Sequence, residues 1–361
     1  MKYIYEHDGF PAFTWNEPDI TNALTAVAGA QGRIIGKMLQ FGFGTQQEAM
    51  LDAMTKEIVA SSEIEGELLN SGQVRSSLAH RLNIVIQPAP TPSHYIDGIV
   101  EAMLDATEKY QKTLTKTRLC GWHAALFPTG WSGMRKIRVG QFRKGEMQVV
   151  STKGNRNIVH YEAPAPQDVA RQMDIFLDWF NKNNNVNALL KSAIAHLWFV
   201  IIHPFDDGNG RITRIITEML LARSENTHLR FYSMSAQIQK EKKIYYQVLE
   251  QTTLSNLDIT DWLVWFFECL GRSIEKSAEI TANVIRKAVF WQKNACLINN
   301  KIQQDIINRL FDGFEGNMTS GKAGKIFKVS QDTAARLLKD LADKDFLEIR
   351  GGGRSTHYAL K

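Results

Sequence analysis

From Ala188 to Ile202 the chain is apolar nearly all round, through Ala193, Ile194, Ala195, Leu197, Trp198, Phe199, Val200, Ile201 and Ile202. A helix with no polar face must be enclosed by other helices, so this stretch forces a bundle with itself at the centre. It is too short for a membrane span, which takes ~20 apolar residues, and so is the run from Trp262 to Phe267. Beyond it, Ile212, Ile215, Ile216, Met219 and Leu220 mark one face of a following helix. Between the two helices lie His203, Pro204, Phe205, Asp206, Asp207, Gly208, Asn209, Gly210 and Arg211.

That connection holds the residue types of an anion site. Gly208 and Gly210 let backbone approach a ligand closely, and the free N–H groups opening the second helix carry the positive end of its dipole. Arg211 adds a planar fork for phosphate oxygens, and Arg214 lies one turn on. Asp207 can ligate Mg²⁺, which bridges nucleotide phosphates, and His203 can take a proton from a hydroxyl near neutral pH. Singly, each feature has a plainer account. The histidine can be a capping residue, Asp-Gly-Asn-Gly a turn, or His203, Asp206 and Asp207 a metal set.

Helical spacing recurs from Gln46 to Val59, His94 to Tyr110, Asp168 to Trp179, Ile244 to Glu250 and Trp262 to Leu270, with a separate long helix expected from Ile274 toward Cys296. Pro88, Pro90 and Pro92 punctuate the chain ahead of His94, and the polar run Asn181 to Asn185 separates two helices. Met147 to Val150 and Asn157 to Tyr161 flank Gly154 and Asn155, which predicts a β-hairpin with a tight turn. Helices at Ile302 to Phe311, Ser320 to Phe327 and Ser330 to Asp343, the last with Ser330 as N-cap, precede a hairpin around Gly351 to Gly353. This end resembles a winged helix-turn-helix. The predicted class is mainly α: a helical core (44–110 and 111–272), an N-terminal accessory region (1–43), a linking helix (273–301) and a winged helix domain (302–361).

A length of 361 residues fits two or three cores, and 44% hydrophobic with 22% charged residues is a globular composition. The net charge of +5 suits an anionic ligand. Cys120, Cys269 and Cys296 are odd in number and widely spaced, and the N-terminus lacks a secretory pattern, so a cytoplasmic setting is expected.

His203 to Arg214 matches, at every defined position, the H-x-F-x-[DE]-G-N-G-R-x-x-R signature, and the chain resembles Fic-domain proteins over roughly residues 46–270. The resemblance implies a protein adenylyltransferase: AMP passes from ATP to a Ser, Thr or Tyr hydroxyl of a target protein, or of the chain itself. His203 would be the base, Phe205 the loop anchor, Asp207 the Mg²⁺ ligand, Gly208, Asn209 and Gly210 the anion hole, and Arg211 and Arg214 the phosphate ligands. A kinase-like branch has lysine where this chain has Gly210, which points to nucleotidyl transfer. The hairpin falls where the family keeps a flap that aligns a target by strand addition, and Tyr246 where it has a nucleotide contact. A structural hairpin and a packing tyrosine are the other readings. Thr252 and Thr253 stand where an asparagine is common in the family.

Ser61, Glu65 and Gly66 fit the family's inhibitory pattern [ST]-x-x-x-E-[GN], in the subclass whose inhibitory helix precedes the core. A Glu65 carboxylate paired with Arg214 would keep that guanidinium from the γ-phosphate. From Thr319 onward nine basic residues face five acidic ones. Gln331, Thr333, Arg336 and Arg354 could meet DNA there, or the module could serve packing or a homodimer. Alternative functions are a DNA-binding regulator with a nucleotide-sensing domain, and a hydrolase that removes AMP.

Overall fold

The structure is a computed structural model; it describes residues 2–361 except 87, 88, 154, 155, 183–185, 312, 313 and 315, and omits the side chains of 151–158, 279–281, 283, 284 and 354. Pro88, the turn expected at Gly154 and Asn155, the run Asn183 to Asn185 and the Arg354 side chain therefore lie outside the described residues. The chain divides into two compact units, Met1–Ala278 and Glu279–Lys361.

The first unit is mainly helical. It runs α1 (Glu17–Met38), α2 (Phe43–Ile64), α3 (Ser71–Arg81), α4 (His94–Glu108), α5 (Lys116–Leu126), hairpin β1 (Trp131–Ser132) and β2 (Arg135–Lys136), then hairpin β3 (Gln148–Lys153) and β4 (Arg156–Glu162). There follow α6 (Pro166–Asn181), α7 (Ala188–Ile202), α8 (Asn209–Glu225), α9 (Met234–Lys240), α10 (Lys242–Thr253) and α11 (Thr260–Asn294), whose residues belong to both units. The Asn187 side chain accepts from the amides of Leu189 and Leu190, which starts α7 where its apolar run starts. Most of α7 is buried, against α6 and above all α8, and the Trp262 indole donates to the Ala193 carbonyl at 2.9 Å. Each buried side chain of this kind contributes about 1.5–3 kcal/mol, so this face dominates the unit's cohesion.

Two sets of polar groups inside the bundle pair with one another. His196 lies within 2.9 Å of Thr217 Oγ1 and 3.0 Å of the Tyr245 hydroxyl. Thr217 already donates to the Thr213 carbonyl, so His196 Nδ1 carries the hydrogen and Nε2 accepts from Tyr245. On the other side of α8, Glu57 accepts from Ser233, from Ser235 and from the Ser235 amide, which anchors α2 to α9.

Helix α11 is one element where the sequence predicts two. A single glycine costs about 1 kcal/mol in a helix, and the buried Trp262, Phe266, Phe267, Leu270 and Ile274 on either side of Gly271 outweigh it. Helices α3, α5 and α9 and the β1–β2 hairpin add to the expected list; two-residue strands carry no alternation to read. In β3–β4, Val149 pairs with Tyr161 and Val150 with Val159, with a register shift between.

The second unit holds α12 (Lys301–Phe311), α13 (Ser320–Phe327), α14 (Gln331–Asp343) and antiparallel strands β5 (Leu347–Arg350) and β6 (His357–Leu360). Its core is built from Ile298, Ile306, Ile307, Met318, Ala323, Ala334, Leu338, Leu341 and Leu347. Ser330 caps α14 through the Thr333 amide at 3.1 Å.

Candidate active site

Pro204 cannot continue α7, and the helix ends at His203 in a left-handed conformation, φ 49°, a region uncommon for residues other than glycine. The bend is over-determined by its surroundings. The Asn209 side chain accepts from the Phe205 amide at 2.9 Å and donates to the Phe205 carbonyl at 2.8 Å, closing the loop on itself. Arg143 donates from its amide to the Pro204 carbonyl and from Nε to the His203 carbonyl, both at 2.8 Å. Phe205 is fully buried and stacks on His123 at 4.1 Å.

His123 is fixed in one tautomer by its neighbours. The Gly140 amide donates to Nδ1 at 3.0 Å, so Nε2 carries the hydrogen and donates to the Asp207 carbonyl at 3.1 Å. Burial pushes this imidazole down to about 4, which keeps it neutral and the tautomer constant. Gly208 takes φ 76°, and a side chain there would meet the Phe127 ring at 2.7 Å.

His203 is half-buried, with Nδ1 3.1 Å from the Val200 carbonyl. A carbonyl only accepts, so the hydrogen sits on Nδ1 and Nε2 keeps its lone pair. Burial lowers the pKa, with Arg143 adding to the shift and the Val200 bond opposing it. The ring is thus a neutral acceptor at pH 7.

Helix α2 ends in a Schellman turn. Gly66, φ 86°, supplies the left-handed residue, its amide bonding the Glu63 carbonyl and the Glu67 amide the Ser62 carbonyl, each at 3.0 Å. The turn sets Glu65 at the start of α8, where a side chain at Gly210 would meet Glu65 Oε1 at 2.1 Å. Arg214 donates from Nη2 to Glu65 Oε1 at 2.6 Å and to the Ser61 carbonyl at 2.9 Å, and from Nε to Ser61 Oγ at 2.8 Å. Burial alone would lower the Arg214 pKa, but Glu65 outweighs it and the result is raised. The Tyr245 hydroxyl is close enough to feel this charge, and for Tyr246 burial first and then Glu65 push the phenol up to about 12. Ser61, Glu65, Gly66, Gly210, Arg214 and Tyr246 therefore lie around one point.

Asp207 is partly exposed; its carboxylate accepts from the Gly208 amide and the Ser132 hydroxyl. A single carboxylate in this position suits a cation held together with phosphate oxygens and water. No group of three metal-ligating side chains occurs among the described residues, so His203, Asp206 and Asp207 do not form a metal set; Asp206 instead accepts from the Arg138 amide at 3.0 Å. Thr252 and Thr253 spend their hydroxyls on the carbonyls of Val248 and Glu250 within α10. The β3–β4 hairpin reaches α10 through His160 and Glu250, 3.1 Å apart. A cleft of about 730 Å³ between α3, α4 and α5, lined by Asp97, Asp105, Arg118 and Trp122, includes none of the loop residues.

Sequence spacing singles out neither His123, Ser132, Tyr95 nor Arg143, because each reaches the loop only through tertiary packing. Glu67 was readable in principle, as a second acid just past Gly66.

A family model described as Fic/DOC family matches residues 113–221, and one described as a domain of unknown function, DUF4172, matches residues 3–84. The latter runs through α1 and across the Ser61–Gly66 stretch. Protein adenylyltransferase Fic of Nematostella vectensis is 32% identical over 116 residues, 31% of this chain and 25% of that protein. A probable protein adenylyltransferase of Aquifex aeolicus is 25% identical over 208 residues, 58% of this chain and 54% of that protein. The chain thus spans from a quarter to about half of the length of these relatives. A crystal structure of a Fic family protein from Desulfovibrio desulfuricans G20 aligns with a TM-score of 0.57 at 19% identity, covering 97% of this chain and 98% of that one, a likeness of fold. The family match takes in α7, the whole loop from His203 to Arg214 and most of α8, so the likeness of this chain to the Fic/DOC family is carried by residues 113–221.

Proposed function

We propose that the chain is a protein adenylyltransferase restrained by its own Glu65. The observation that carries this reading is the arrangement of the loop: a neutral imidazole with Nε2 free at one end, a glycine-lined helix start with two buried arginines at the other, and Asp207 between. In the reaction His203 Nε2 takes the proton of a Ser, Thr or Tyr hydroxyl, the hydroxyl oxygen bonds to the α-phosphorus of ATP, and pyrophosphate leaves. Arg211 and Arg214 hold phosphates, and the amides of Gly208, Asn209 and Gly210 line the anion site. Mg²⁺ held by Asp207 would supply charge neutralisation on the phosphates. The β3–β4 hairpin, with exposed Val150 and Val159, is the element on which an extended target segment would align.

Glu65 supplies the restraint by sitting against Gly210 and pairing with Arg214 where a phosphate would bind. With labelled ATP and Mg²⁺, the Glu65→Gly form is expected to transfer label to itself or to added proteins at least about tenfold faster than the wild type. Adding His203→Ala is expected to abolish transfer. Absence of any gain in Glu65→Gly would remove the restraint, and release of AMP from a modified protein would favour the hydrolase. For the second unit we propose a winged helix. Exposed Arg336 and Lys339 on α14 favour a test on random duplex DNA, where binding that weakens with salt reports phosphate contacts. No helix among the described residues is long and apolar enough to cross a membrane.

A further inference from the structure

We infer that the chain carries a second restraining carboxylate, Glu67, which occupies a subsite formed by Arg211 and Tyr95, and that Tyr95 becomes a ligand of a phosphate when Glu67 leaves. The inference rests on the adenylyltransferase reading for the identity of that phosphate, but its geometry is independent.

Arg211 is 4% exposed at its side chain and cannot shed its charge to water, so it must have a counter-charge. Asp207 is the nearer acid in sequence, yet lies 4.0 Å from Nη2. The partner is Glu67, 2.7 Å from Nη1 and brought in by the turn that closes α2. The Tyr95 hydroxyl completes a triangle, accepting from Arg211 Nη1 at 2.7 Å and donating to Glu67. Burial of the phenol keeps it protonated and therefore a donor. The guanidinium also lies 4.9 Å from the centre of the Phe127 ring. Nε is buried and makes no hydrogen bond among the described residues, so the subsite has an unused donor.

The two pairs are built alike. Arg211 at 4% and Arg214 at 2% exposure are fixed on α8, while Glu67 at 36% and Glu65 at 30% keep access to solvent, and an anion that takes the place of either carboxylate restores the counter-charge. Only Gly66 separates the two acids, and the Glu67 amide is part of the Schellman turn. Opening that turn frees both arginines together; replacing Glu65 alone frees one. Glu65→Gly should therefore be only partly released.

The test uses the full chain as wild type, Glu65→Gly, Glu67→Gln, the double variant, and the double variant with Tyr95→Phe. Calorimetric titration with Mg²⁺-ATP and with inorganic tripolyphosphate is read beside thermal melting. Glu67→Gln in the Glu65→Gly background is expected to tighten both ligands about tenfold, and Tyr95→Phe to reverse several-fold of that gain with an unchanged melting temperature. Unchanged affinity in the double variant, or a fall in melting temperature with no change in affinity, would overturn the inference and leave Glu67 a structural partner of Arg211. Tight binding by the double variant with no transfer to any protein would sustain the subsite and sink the adenylyltransferase reading. Transfer by Glu65→Gly to which Glu67→Gln adds nothing would do the reverse.

Discussion

The contact between His203 Nδ1 and the Val200 carbonyl selects the tautomer of a proton acceptor, while burial, working against that bond, lowers the pKa. Because desolvation lowers the His203 pKa, the acid limb of the transfer rate should lie below the ordinary imidazole value of about 6.5. A pH–rate profile of kcat/KM for the Glu65→Gly form checks this, and a limb at or above that value would exclude His203 as the group being titrated. The other end of the loop follows from bulk rather than charge. Gly210 is required because Glu65 packs where a side chain would stand.

At the scale of elements, the Schellman turn at Gly66 links the end of α2 to both arginine pairs, so backbone strain there should be felt at the active site. A Cβ at Gly66 meets nothing within 4 Å, and the cost of Gly66→Ala is the left-handed backbone alone, roughly 1 kcal/mol. The expected result is a melting temperature lower by a few degrees, with basal transfer raised but less than in Glu65→Gly. A lower melting temperature with no rise in transfer would mean that the turn does not couple to the site. The same elements show what a sequence can disclose. Helix α7 and the face of α8 are local patterns, and the glycines and charges between them announce an anion site without any knowledge of neighbours. The partners of that loop come from elsewhere: His123 lies on α5, Tyr95 opens α4 and Ser132 sits on a two-residue strand. Helix α5 buries Leu119, Trp122, His123 and Leu126, a helical spacing in which a histidine fills one of the four places, so three apolar residues alone mark the face. For α11 the local signal misled, because Gly271 reads as a break that long-range packing overrides.

For the molecule as a whole, the buried titratable groups make acid stability a property of one unit more than the other. In the first unit burial holds His196 at about 3 and His123 at about 4, each below the imidazole value, while burial raises Glu57 to about 7. Between about pH 4.5 and 6.5 the unfolded chain binds protons at both histidines that the folded chain refuses, and the folded chain alone keeps one at Glu57. Burial likewise lowers His203 and raises Glu225, so three histidines stand against two glutamates, the unfolded state binds more protons, and stability falls as pH falls. His357 in the second unit is half-exposed, and no buried histidine occurs there among the described residues. Hydrogen exchange on the intact chain, expressed as protection relative to intrinsic rates, should therefore show α7 and α8 losing protection between pH 6.5 and 5 while α12 and α14 change little. Replacing His196 by Gln, which can still donate to Thr217, should flatten that pH dependence in the first unit even though it lowers stability at pH 7.5. Equal losses in both units, or a dependence that His196→Gln leaves unaltered, would mean that these histidines do not set the acid limit of the fold.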